Sequence, residues 1–174
     1  MADDLQARLL ATLDEIGADV KSLQSQLDAL SPPQIAQVRN TSQTANLNHS
    51  TSWAIIAITG ESDFIDADFS AGSTGIVCNF DGRAKVTTHI GYTVSGARVN
   101  VLVRAAVGGV GQPIEGKSGY VRNATGHTEA SCTAIQYVTV SSGDEVTLQT
   151  KRESSTSTTT LGDAGKCMIL VEKS

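Results

Sequence analysis

Three groups of residues in this 174-residue chain have types and spacings that chemistry uses. Asp63, Asp66 and Asp68 lie within Glu-Ser-Asp-Phe-Ile-Asp-Ala-Asp, and carboxylates that close offer oxygen ligands to a hard cation such as Ca²⁺. No glycine or glutamate falls at the EF-hand offsets, so the stretch reads first as a solvated acidic loop and second as a cation site. Gly111-Gln-Pro-Ile-Glu-Gly-Lys-Ser118 matches the phosphate-loop pattern letter for letter. That chemistry needs a helix directly afterwards, whose N-terminal amides hold the phosphates. The following Gly119-Tyr-Val-Arg-Asn-Ala-Thr-Gly126 is turn- and strand-like, so a surface loop between strands is expected. His49, His89 and His127 are scattered, with no spacing that makes a metal site or a triad. No Gly-x-Ser-x-Gly elbow and no Cys-x-x-Cys occurs, so neither an enzyme nor a cofactor is expected.

With little chemistry to place, the elements themselves carry the argument. Leu9, Leu13, Ile16, Val20, Leu23, Leu27 and Leu30 recur at alternating gaps of four and three residues, an unbroken heptad seam. So narrow a stripe predicts a coiled coil over residues 1–31 rather than a helix lying on its own domain. Val at a with Leu at d favours two strands, and Leu at a with Ile at d favours three or four; both kinds of layer occur here. The seam spans only about 33 Å at ~1.5 Å per residue, so contacts further along the chain are expected to help hold the assembly.

Composition narrows the rest. The chain carries a formal charge of −5 with no basic patch, which argues against a nucleic-acid partner. No apolar run approaches a membrane span, and the acidic N-terminus lacks the character of a signal peptide, so synthesis in a cytoplasm, or a route other than ordinary secretion, is expected. Cys78, Cys132 and Cys167 sit in apolar runs and read as buried thiols. Ser31-Pro32-Pro33 ends the helix. Residues 32–52, rich in Asn, Ser, Thr and Gln, read as an extended linker or as disorder.

From Trp53 onward the texture is β. Trp53–Ile58 reads as a strand buried on both faces, residues 59–74 as loop, and Asp81-Gly82 as a hairpin turn between two alternating runs. Ala84, Val86, Thr88, Ile90, Tyr92 and Val94 share one face of the clearest strand; Lys85, Thr87, His89 and Thr93 share the other. Val99, Val101, Val103, Ala105 and Val107 alternate next, and Val146, Leu148 and Thr150 follow the turn at Ser142-Gly143-Asp144. Two strands, 131–140 and 167–171, are apolar on both faces, and Ile135, Tyr137, Met168 and Leu170 are assigned to contact with a neighbouring subunit. A histidine caught in such an interface, His89 being the candidate, would make assembly pH-sensitive. About eight strands without helical periodicity predict a sandwich or jelly roll, an up-and-down barrel having the same pattern.

Several segments carry a family likeness. The alternating strand 84–94, Arg-Val-Asn-Val-Leu-Val at 98–103, Ser-Gly-Asp-Glu-Val-Thr-Leu at 142–148 and the terminal Cys-Met-Ile-Leu-Val-Glu-Lys resemble the C1q/TNF-like jelly roll, especially the versions in bacteriophage head-fibre, decoration and tail-fibre proteins. The resemblance covers residues 53–174. It departs from the family in its few aromatics and in having no collagen-like segment. It implies a trimeric, mainly β jelly-roll sandwich, here preceded by the coiled coil. It further implies a structural virion protein, a capsid decoration, cement or head-fibre component whose partners are itself and the major capsid or another virion protein. The alternative is a tail-fibre tip recognising a host surface glycan or protein.

Overall fold

The computed structural model describes residues 2–30, 32–40, 52–58, 61–95, 100–119, 121, 128–153, 158–161 and 167–174. The chain divides into two compact units, Met1–Pro33 and Gln34–Ser174.

The first unit is one helix, α1, Ala2–Leu30. Its seam is uncovered: Leu9, Leu13, Ile16, Val20, Leu23 and Leu27 are each 53–63% exposed. The side chain of Leu30 lies outside the described residues. Leu10, off the seam, is exposed as well, and the helix has internal supports such as the Thr12 hydroxyl donating to the Arg8 carbonyl (3.0 Å). No described helix is long and apolar enough to cross a membrane.

The second unit is a two-layer antiparallel sandwich. Its described strands are β1 (Ile35–Asn40), β2 (Ala54–Ile56), β3 (Glu61–Ile65), β4 (Phe69–Ala71), β5 (Ile76–Cys78), β6 (Gly82–Ser95), β7 (Val101–Val107), β8 (Val110–Gly111), β9 (Gly116–Lys117), β10 (Glu129–Val140), β11 (Glu145–Arg152), β12 (Thr158–Leu161) and β13 (Cys167–Lys173). One sheet runs β10-β6-β13-β1-β3, with β12 also on β6; the other runs β4-β5-β11-β7-β8, with β2 on β11 and β9 on β7. The chain repeatedly changes sheet, from β5 to β6, β6 to β7, β9 to β10 and β10 to β11, which is jelly-roll and not up-and-down connectivity.

Period-2 alternation sets which side chains fill the space between the sheets. Ala84, Val86, Ile90 and Tyr92 of β6 face Val101, Val103 and Ala105 of β7 and Val146 and Leu148 of β11 across a closed core. The three cysteines belong to this core as free thiols.

Four sequence expectations change here. The linker assigned to 32–52 is partly sheet: β1 pairs with β13 from Ile35↔Glu172 to Asn40↔Cys167, with Ala36, Val38 and Asn40 buried. Only two apolar side chains point inward from this strand, too few to register as alternation amid Gln, Arg and Asn. Residues 59–74 are not simply loop, because β3 pairs with β1 and β4 with β5. Asp81-Gly82 is not a hairpin turn. β5 and β6 lie in different sheets, and Gly82 (φ 151°) is where the chain passes from one layer to the other. The strand at Trp53–Ile58 is also shorter than expected and covered on one side only: Ile56 is buried while Ile55 is 45% exposed.

Candidate functional site

The outer face of the β10-β6-β13-β1-β3 sheet is the surface on which the predicted contact residues meet. Register places Ile135 opposite Thr87, Thr87 opposite Leu170, Leu170 opposite Gln37 and Gln37 opposite Phe64. One continuous row therefore crosses five strands, about 19 Å at ~4.8 Å per strand. Ile135 is 55% and Phe64 40% exposed, and Leu170 is half-buried. On one side runs a row of Thr133, His89, Met168 and Arg39; on the other, Tyr137, Lys85, Glu172 and Ile35. All four residues assigned to subunit contact thus share one face. Phe64 shares this face as well, on a strand within a stretch that the sequence reads as loop.

The polar residues around this row are paired within the face. Lys85 Nζ lies 2.7 Å from Glu172, whose hydrogen bond and charge raise the lysine pKa. The Arg83 guanidinium stands over the Tyr137 ring at 5.3 Å, within cation–π range. His89 Nδ1 is 2.8 Å from the Thr133 hydroxyl, and burial pushes its pKa down, favouring the neutral ring.

The segment between β8 and β9 runs beside β10. A Cβ on Gly116 would come within 2.2 Å of the Thr133 carbonyl oxygen, so only glycine permits this approach. Gln136 Oε1 accepts the Ile114 amide at 3.3 Å. The phosphate-loop match, 111–118, spans the end of β8, this segment and β9, with no helix in it: Gly116 and Lys117 pair with Val103 and Leu102. Lys117 is bound to Glu153 at 2.6 Å, which lowers the glutamate pKa. Ser118 is buried, its hydroxyl accepting the Val101 amide (2.9 Å) and meeting the Tyr92 hydroxyl.

The three aspartates do not converge. Asp63 pairs with Arg39 (2.9 Å) and accepts the Gln37 side-chain amide. Asp66 accepts the Ile35 amide at 2.8 Å, and Asp68 pairs with Lys173 at 2.7 Å. Each carboxylate fastens a different point of β1 or β13, and no metal-ligand cluster occurs among the described residues. His49 and His127 lie outside the described residues.

The opposite sheet holds a cluster that sequence spacing did not signal. The Arg104 guanidinium stacks on the Trp53 ring at 4.1 Å, Lys151 Nζ lies 5.3 Å from the same ring, and Arg104 Nε donates to Gln149 at 2.9 Å. Trp53 and Arg104 are 51 positions apart, and β2 and β7 are brought close by their common neighbour β11.

No family model matches the chain, and no curated protein matches it in sequence. Solved structures do match in shape. The Eiger TNF of S. frugiperda is similar over 83% of this chain and 94% of its own, at 13% identity and a TM-score of 0.59. Murine APRIL is similar over 82% of this chain and 100% of its own, at 9% identity and a TM-score of 0.53. At these identities the likeness is one of fold, and the strand-rich unit of this chain is a TNF-like jelly roll.

Proposed function

We propose that the chain is a non-enzymatic structural protein that works as a homotrimer. In this reading it is a capsid decoration, cement or head-fibre protein of a bacteriophage virion, made in the host cytoplasm. The observation that carries the reading is that both units leave apolar surface uncovered: the α1 seam and the Ile135–Phe64 row. Burying such surface stabilises by about 25 cal/mol per Å² before the costs of association, and copies of the same chain supply a matching stripe and a matching face. The C1q/TNF-like likeness favours three copies, and a three-fold binder fits a three-fold point on a capsid. Its attachment partner is then the major capsid protein or another virion protein. Copy number per purified particle tests this, with hundreds per virion expected.

The alternative, a tail-fibre tip that binds a host glycan or surface protein, draws on the Trp53, Arg104 and Lys151 cluster, since guanidinium and ammonium groups beside an aromatic ring suit acidic saccharides. A few to a few dozen copies per particle, with host-cell binding lost in Trp53→Ala, would favour it over decoration.

A further inference from the structure

We propose that His89 makes assembly of the jelly-roll unit pH-dependent, the neutral ring permitting the copies to join and the protonated ring loosening them. The inference rests on the reading that the outer sheet face is a subunit contact. It names the group through which that contact is regulated.

His89 lies on β6, flanked by β10 and β13. Thr133 of β10 is directly opposite and bonded to Nδ1 at 2.8 Å; Met168 of β13 is opposite on the other side, and Ile135 and Leu170 occupy diagonal positions. The imidazole therefore sits at the margin of the apolar row that a second copy would cover.

The charged groups around it leave a proton uncompensated. Along β6 lies Lys85, four residues away and paired with Glu172 of β13. On β10, Glu129 stands opposite Thr93, four residues off in the other direction, and Tyr137 stands opposite Lys85. On β1, Arg39 follows Met168 in the same row and is paired with Asp63; on β3, Glu61 is opposite Arg39. β12 brings Thr158–Leu161 to the far end of β6, opposite Ser95–Tyr92. Among the described residues, register puts no carboxylate opposite or diagonal to His89; the nearest ionised residue in its row is Arg39, two strands away, with Glu61 one strand beyond it.

Burial within one chain already disfavours the charged ring. A second copy laid over the face removes more water and disfavours it further. The assembled state then binds fewer protons than the separated chains, so assembly strengthens as pH rises and weakens as pH falls through the value of the free chain. With one proton per chain and three chains, the dissociation constant rises at most about a thousandfold per pH unit below that value.

The test is sedimentation of the full chain in a dilution series between about pH 8 and about pH 5.5, comparing wild type with His89→Gln, which keeps a hydrogen-bonding group beside Thr133 and cannot take a proton in this range. Both are expected to assemble alike at the upper end. At the lower end the wild type is expected to dissociate at a concentration at least about tenfold higher than His89→Gln, by the same linkage. Other titrating groups, including His49 and His127, are present in both proteins and cancel in the comparison. Parallel profiles for the two proteins, both assembled at the upper pH, overturn the inference and leave the assembly reading standing. A wild type that stays monomeric throughout overturns both. Should the variant not fold, the His89 ring is titrated by NMR above and below the dissociation concentration, where a lower pKa in the assembled sample supports the proposal and an equal one ends it.

Discussion

Single side chains hold the loops that close this sandwich, and their removal has graded consequences. The Glu145 carboxylate accepts the backbone amides of Thr74 (2.6 Å) and Gly75 (2.9 Å) and the Thr74 hydroxyl (3.1 Å), so one side chain satisfies most of a turn. Glu145→Ala leaves these donors without their charged acceptor and is expected to lower the unfolding free energy by about 1.5–3 kcal/mol in urea titrations. Gly116→Ala forces a Cβ against the Thr133 carbonyl and should cost about 1–3 kcal/mol, whereas Gly119→Ala meets no atom within 4 Å and should be near neutral. The thiols give a pH-linked expectation. Burial, with Asp144 adding to it at Cys78, pushes Cys78 up to about 11, and burial pushes Cys132 and Cys167 up to about 12. The folded chain therefore keeps these protons while unfolded thiols lose theirs, so this contribution is full below the ordinary value of 9.0 and is lost as pH rises above it. All three cysteines should resist a thiol reagent at about pH 8 in the native protein and react after denaturation.

At the level of elements, the proposed assembly has two surfaces that can be tested separately, the helix seam and the sheet face. The seam residues of α1 are exposed in one chain, and in the proposed assembly partner helices would cover them. Leu13→Asp together with Leu27→Asp places charge at two a positions and should raise the dissociation constant by at least about tenfold, with a loss of helical circular dichroism, because a helix of this length is marginal alone. Ile135→Asp should weaken assembly without that loss of helix signal, since β10 keeps its pairing to β6 along its whole length. The heptads of α1 were legible because the repeat is local. The sheet row was half legible: two-faced apolar strands marked Ile135, Tyr137, Met168 and Leu170, while Phe64 stood in a strand whose neighbours, Ser62 and Asp63, broke the apolar pattern.

For the whole molecule, the central expectation is mass. Light scattering at micromolar concentration should give three times the 18.1 kDa of one chain, and a monomer with both apolar surfaces exposed should not persist. Placing His89 on the sheet face makes the jelly-roll contact the pH-sensitive one, so acidification should loosen it.

Sequence alone determined whatever depends on a residue's near neighbours. The period of 2 through residues 84–94 set which side chains turn inward, the heptads set the helix, and apolar runs around the cysteines set their burial. Tertiary structure decided every partnership over distance. Alternation says which face a residue occupies but not which sheet the strand joins, so Asp81-Gly82 marked a break in the chain without showing that the break crosses the sandwich. In the same way, three aspartates spaced for a cation were drawn apart by Arg39, the Ile35 amide and Lys173, groups that approach them only because β1, β3 and β13 lie side by side.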